Sequence, residues 1–172
     1  MIVAVILSAG ESRRMGSPKA LLPIEGKTFL ERVVSALRLS RVGEVLVVLG
    51  HQAEELRPKL SRLAVRFIVN RDYQRGQLSS LHAAIRRLDP RSIDGILVHL
   101  VDHPYLKSSL INEMIERFYA TKQLIAVPTF RGRRGHPVLF SRDLFPELLA
   151  APLQRGAKSV VHAHRAETLE IP

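Results

Sequence analysis

Five runs along the chain are almost wholly apolar and rich in β-branched residues, at 3–7, 44–49, 65–69, 95–101 and 124–127. Near-continuous apolarity, rather than strict alternation, is the pattern of strands buried on both faces, which predicts parallel strands. The stretches between them repeat apolar positions at helical spacing. Thr28 to Leu39 lines up Phe29, Leu30, Val33, Val34 and Leu37 on one face, and Leu78 to Leu88 and Ser108 to Ala120 keep the same spacing. From Ala53 to Leu63 the pattern is interrupted by Pro58, which removes a donor and biases Arg57 away from helix, so a kink or a short helix pair is expected there. Strand, helix, strand repeated in this way predicts an α/β chain of three αβα layers, Rossmann-like, with a mostly parallel sheet covered on both faces. Ligands of such sheets bind outside the carboxyl ends of the strands, so the segments after the first, third and fourth strands should meet at one rim.

The first of those segments carries unusual chemistry. Strand 3–7 runs into Ser8-Ala9-Gly10-Glu11-Ser12-Arg13-Arg14-Met15-Gly16-Ser17-Pro18-Lys19. Ala9 and Gly10 leave the backbone open to a ligand, so successive N–H groups can point at an anion. Arg13, Arg14 and Lys19 add fork-shaped and point-charge donors, as expected of a phosphate-holding loop rather than a plain connection. Two commoner phosphate motifs are excluded. A dinucleotide fingerprint needs three glycines, and only Gly10 and Gly16 are present. Gly26-Lys27-Thr28 imitates the end of a P-loop, but Leu21 stands where the first glycine belongs, and the triplet reads better as a turn with Thr28 capping the next helix.

Composition narrows the class. The 172 residues suit one domain, within the usual range of about 100 to 200, and contain no cysteine, which removes thiolate catalysis and Cys-ligated metals. No apolar run approaches the roughly 20 residues of a membrane span and no signal-peptide pattern opens the chain, so a cytoplasmic protein starting near Met1 is expected. The net charge of +10 calls for anionic partners. Nucleic acid is disfavoured, because aromatics are only 5% of the chain and the cations are scattered rather than interleaved with stacking rings.

The first loop, read as L-x-A-G-x-S-x-R-M-G-x-x-K, resembles the nucleotide-binding signature of the MobA-like NTP transferases, which include the molybdenum cofactor cytidylyltransferases and guanylyltransferases. Three further segments resemble that family in order: Val69-Asn70 with Gly76-Gln77-Leu78-Ser79-Ser80-Leu81 its second nucleotide loop, Leu100-Val101-Asp102-His103-Pro104 its metal-carboxylate motif, and Gly135-His136-Pro137-Val138-Leu139-Phe140 its substrate-side strand. The resemblance implies the nucleotide-diphospho-sugar transferase type of fold over 1–172. It also implies transfer of an NMP from CTP or GTP to a small phosphorylated acceptor, foremost a molybdopterin-type cofactor, with loss of pyrophosphate. Mg²⁺, or Mn²⁺ in its place, is the implied cofactor, and an enzyme that receives the finished cofactor is an implied partner.

On this reading Arg14 contacts the triphosphate, Lys19 the α-phosphate or the nucleophile, and Asp102 the metal, and these three are the catalytic set. Ala9, Gly10, Arg14, Lys19, Asn70, Gly76, Ser79 and Ser80 hold the nucleotide, the two serines also capping the helix that follows. His103, His136 and Arg134 face the acceptor. By the residues alone Asp102 is equally an acid capping the next turn, and Arg131-Gly132-Arg133-Arg134-Gly135-His136 reads first as a solvated hairpin tip. His99 lies on the strand an odd number of residues from Asp102, facing the other side, and is expected in the core rather than in a zinc site. Relatives continue into an Asp-x-Asp-Thr-Pro-like segment, whereas this sequence offers only Glu167 and Glu170 on an expected terminal strand. A nucleotide-binding homologue without catalysis, or a sugar-phosphate or phospholactate nucleotidyltransferase, therefore remains open beside the leading reading.

Overall fold

The computed structural model describes residues 1–12 and 16–172. Its strands are β1 (Ile2–Ser8), β2 (Pro23–Ile24), β3 (Lys27–Thr28), β4 (Glu44–Leu49), β5 (Arg66–Val69), β6 (Gly95–Leu100), β7 (Ile125–Phe130), β8 (Arg133–Arg134), β9 (Val138–Ser141) and β10 (Thr168–Ile171). Its α-helices are α1 (Phe29–Arg38), α2 (Ala53–Lys59), α3 (Gln77–Ile85), α4 (Ser108–Thr121), α5 (Phe145–Ala150) and α6 (Lys158–Ala163).

The main sheet runs in the order β10-β7-β9-β6-β1-β4-β5, with β8 paired to β7. Pairings β1–β4, β1–β6, β4–β5 and β7–β10 are parallel. Only β9, wedged between β6 and β7, and the short β8 run the other way. The five apolar runs are thus the five parallel strands the pattern predicts, and the fold is the mostly parallel αβα sheet. The reversal of β9 has a local cause: the β7–β8 hairpin turns at Arg131 and Gly132, both at positive φ, and returns the chain against its former direction.

Alternation along each strand sorts the core into two layers. Ile2, Ala4 and Ile6 of β1 with Val45, Val47 and Leu49 of β4 pack on α1, α2 and α4. Val3, Val5, Leu46 and Val48 pack on α3, α5 and α6 from the other face. In α1, Leu30, Val33, Val34 and Leu37 of the apolar stripe predicted from spacing are buried, and Phe29 is partly buried against the same core. The Gly26 turn behaves as expected: Thr28 Oγ1 accepts from the Glu31 N–H at 3.2 Å and Glu31 Oε2 accepts from the Thr28 N–H at 2.6 Å, a reciprocal cap on α1. Helix α2 is short, stopping one residue past Pro58.

Candidate nucleotide and acceptor site

The carboxyl ends of β1, β5 and β6 meet at one rim, as the topology requires. Beyond β1 the chain crosses Ala9 and Gly10, and a Cβ added at Gly10 would meet no heavy atom of the described residues within 4 Å. Ala9 is fixed from behind. Its carbonyl accepts from the His51 N–H at 3.1 Å, and Gly50 sits so close that a Cβ on it would lie 2.8 Å from both the Ala9 carbonyl oxygen and the Ala9 Cβ. Arg14, with Arg13 and Met15, lies outside the described residues.

Lys19 and Asp102, 83 residues apart, are brought into contact, with Lys19 Nζ donating to Asp102 Oδ2 at 2.9 Å. Both side chains keep more than a third of their surface, 36% and 38%. Partial burial acts to raise the Asp102 carboxyl, but the Lys19 ammonium beside it outweighs that and holds it below the ordinary carboxylate range. The Asp102 carboxylate thus reaches across the rim to a cation and also takes a backbone hydrogen bond. Around this pair is a cleft of about 350 Å³ whose walls include Gly10, Ser12, Leu56 and Gln77.

The second loop shows how its residues are spent. Asn70 Nδ2 donates to Ser79 Oγ at 2.9 Å and to Ser80 Oγ at 3.0 Å, while Asn70 Oδ1 accepts from the Asp72 N–H at 3.0 Å. Ser79 Oγ in turn donates to the Gly76 carbonyl at 2.6 Å. All three side chains are buried. The expected capping by the serines is corrected: Gly76, at φ 98°, takes the N-cap of α3, no side chain caps it, and Ser79 and Ser80 lie inside the helix. The three residues brace the loop that carries Gly76 and Gln77 to the cleft.

Past Asp102 the histidines form a file. Ring centroids of His99 and His103 are 6.0 Å apart, and those of His103 and His136 5.5 Å. His103 Nε2 is 3.9 Å from Asp102 Oδ1. His99 is a core residue as expected, 2% exposed, and its Nε2 lies 2.9 Å from the His103 carbonyl. A carbonyl only accepts, so Nε2 carries the proton and Nδ1 is left as the one buried side-chain nitrogen or oxygen without a partner among the described residues. Burial pushes His99 down to about 4 and also lowers His136.

His136 and Arg134 line a second, more apolar cavity of about 390 Å³ floored by Leu81, Val127 and Phe140. Lys158, His162 and Gln77 complete its polar edge. These three were not singled out from the sequence; the small pair Gly156-Ala157 ahead of Lys158, with Gly156 at φ 65°, is the signal that marks a turn onto the site. Leu7, Gln77 and Leu100 border both cavities, so the two compartments share a wall. Arg134 is held by Glu170 of β10 at 2.8 Å, and Glu167 by His164 at 2.8 Å. No cluster of three or more His, Cys, Asp or Glu side chains able to hold a metal occurs among the described residues. Asp102 nonetheless suits Mg²⁺, which is commonly held by one or two carboxylates with the rest of its shell from substrate phosphates and water.

A parallel sheet with a small-residue loop after β1, a lysine and an acid at the strand ends, and a cavity on either side of Gln77 defines a nucleotidyltransferase-type α/β protein. The chain belongs to the MobA-like NTP transferase family, whose model matches residues 4–168. Among curated relatives it is 28% identical to the purine catabolism protein PucB of Bacillus subtilis, over 93% of this chain and 80% of that protein. It is 30% identical to the nicotine blue oxidoreductase of Paenarthrobacter nicotinovorans, over 84% of this chain and 73% of that one. The crystal structure of Rv0371c from Mycobacterium tuberculosis superposes with a TM-score of 0.87 at 30% identity, covering 99% of this chain and 86% of that one. A second crystal structure of Rv0371c is a complex with manganese, with a TM-score of 0.82 at 28% identity, covering 99% and 86% of the two chains. No helix among the described residues is long and apolar enough to cross a membrane.

Proposed function

We propose that this chain transfers an NMP from CTP or GTP to a small phosphorylated acceptor, foremost of the molybdopterin type, releasing pyrophosphate. The observation that carries the reading is the Lys19–Asp102 contact at the mouth of a cleft that shares Leu7, Gln77 and Leu100 with a second, more apolar cavity. One compartment takes the triphosphate and the other the body of the acceptor, so a phosphate carried by the acceptor reaches the α-phosphorus across the shared wall. An oxygen of the acceptor phosphate attacks, the bond to the bridging oxygen of the β-phosphate breaks, and pyrophosphate leaves. A phosphate monoester is already largely ionised near neutral pH, so no general base is required.

The chain supplies preorganised charge. The N–H groups at Ala9 and Gly10, with Arg14, receive the triphosphate, and Lys19 neutralises charge growing on the α-phosphate. A well-placed donor of this kind is worth about 3 kcal/mol at the transition state. Asp102 is the residue that would hold Mg²⁺, or Mn²⁺, which adds Lewis acidity at the phosphates. Asn70, Gly76, Ser79 and Ser80 shape the base and ribose pocket, the two serines and Asn70 through the loop they brace. His136, kept neutral by burial, and His103 offer hydrogen bonds to the acceptor, and Arg134 lends positive charge partly offset by Glu170.

Thermal unfolding with each of the four NTPs, with and without Mg²⁺ or Mn²⁺, tests this. Ligand at about 100 times its dissociation constant adds roughly 2.7 kcal/mol, or about 5–10 °C for a chain of this length. CTP or GTP is expected to give that shift in the presence of metal, and the same nucleotide to yield pyrophosphate once an acceptor is added. Absence of stabilisation by every NTP overturns the reading.

A further inference from the structure

A second groove, of about 760 Å³, lies between the free edge of β5, the outer side of α3 and the segment after α5; it does not share the Lys19–Asp102 cleft, but Asn70 and Ser79 of the second loop stand in its wall. Arg57, Arg66, Arg71, Arg75, Arg86 and Arg87 line it, and Asp72 is the only acid among its walls. That is a balance of +5 in one groove against +10 for the whole chain. All six arginines are exposed. Arg66 alone has acceptors, Glu44 Oε1 at 3.4 Å and the Arg87 carbonyl at 3.2 Å. The other five guanidinium groups have no acceptor within hydrogen-bonding distance among the described residues. Like charges gathered without counter-charge repel one another, and a complementary anion removes that penalty.

The floor adds a second recognition element. β5 closes the sheet and pairs only with β4. The Asn70 N–H donates to the Leu49 carbonyl, so by alternation the N–H and C=O groups of Phe67 and Val69 point away from β4, into the groove. Leu149 and Leu153 give it apolar ground on the α3 side, and Phe67 lies on the opposite face of β5. One or two charges suffice to keep a short edge strand from pairing with other chains; six arginines around four strand residues exceed that need.

We infer that this groove binds an extended acidic segment of a partner protein, which adds as a strand to β5 and places its carboxylates on the arginines. Main-chain bonds to Phe67 and Val69 supply register, and bidentate arginine–carboxylate contacts supply selectivity. A single-stranded nucleic acid matches the charge but not the floor: Phe67 is the only Phe, Tyr or Trp ring among the walls, and stacked bases need more.

The experiment uses the full chain without nucleotide or metal, so its outcome is separate from that of the proposed activity. A fluorescently labelled peptide of alternating glutamate and valine is titrated at physiological salt, beside the same peptide N-methylated along its backbone and beside an oligothymidylate. The unmethylated peptide is expected to bind, to perturb the amide resonances of residues 66–71, and to lose about tenfold or more in affinity in Arg86→Glu/Arg87→Glu. Arg66→Glu, on β5 and turned to the same side as Arg87, is expected to weaken it in the same sense should the double variant misfold. Equal binding of the methylated peptide, tighter binding of the oligothymidylate, unchanged affinity in a folded charge-reversed variant, or no binding of the peptide each overturns the inference.

Discussion

Lys19 and Asp102 form an ion pair that contributes little to stability, because both side chains keep more than a third of their surface in solvent. Such pairs are worth about 0–1 kcal/mol. Asp102→Asn preserves volume and is expected to move the melting temperature by less than about 4 °C while lowering pyrophosphate release about 100-fold or more. Circular dichroism and a coupled pyrophosphate assay measure the two. His99 behaves in the opposite manner, mattering for stability more than for charge at the site. Its folded value of about 4 lies below the ordinary histidine value of 6.5. Between those limits the unfolded chain binds more protons, so the contribution of His99 is complete above pH 6.5 and is lost as pH falls towards 4, up to about 3 kcal/mol. His136 shifts in the same direction. His164, raised by Glu147 and Glu167, has the opposite sign: its contribution is present below pH 6.5 and lost as pH rises through its raised value, and it is small because the site is wet. Denaturant unfolding from pH 7 to 4 is expected to show an acid-sensitive step that shrinks in His99→Gln.

At the scale of elements, the phosphate loop depends on what stands behind it. β4 ends at Leu49, and Gly50 and His51 continue against Ala9, with the His51 N–H donating to the Ala9 carbonyl. A methyl group at Gly50 would collide with Ala9 and with Tyr73 Cβ at 2.5 Å, joining the first and second loops in one clash. Gly50→Ala is therefore expected to cost about 1–3 kcal/mol and to weaken nucleotide binding, although residue 50 does not line the cleft. A melting curve with and without the stabilising NTP separates the two effects. The loop after β5 is rigid for a related reason, since Asn70 has both ends of its amide occupied by Asp72, Ser79 and Ser80.

Across the whole molecule, the terminal strand β10 closes the far edge of the sheet and spends its acids on cations, Glu170 on Arg134 and the preceding Glu167 on His164. Neither lines the cleft that holds Asp102. Glu167→Gln and Glu170→Gln are expected to leave the Mg²⁺ dependence of pyrophosphate release unchanged, while Glu170→Gln, by releasing Arg134 beside the apolar cavity, alters KM for the acceptor more than kcat. Steady-state kinetics over Mg²⁺ and acceptor concentration check both, and a raised Mg²⁺ requirement in either variant would give that acid a place at the rim.

The apolar runs alone determined five of the six parallel strands, β10 with its exposed Glu170 being the exception, since a strand covered on both faces must be apolar throughout, and the rim followed because every parallel strand ends on the same side. The small residues at Ala9 and Gly10 and the acid at the end of β6 were legible for the same reason: their chemistry is local to the position. The partners of those residues were not. The Lys19–Asp102 contact, the burial that lowers His99, the tether of Arg134 to Glu170 and the bracing of Ser79 and Ser80 by Asn70 each join groups distant in sequence or set by packing. The arginine groove is the extreme case. Six cations that look scattered along the sequence converge only because α2, β5 with the loop after it, and the turn that ends α3 meet around one edge of the sheet, and charge acts through space rather than along the chain.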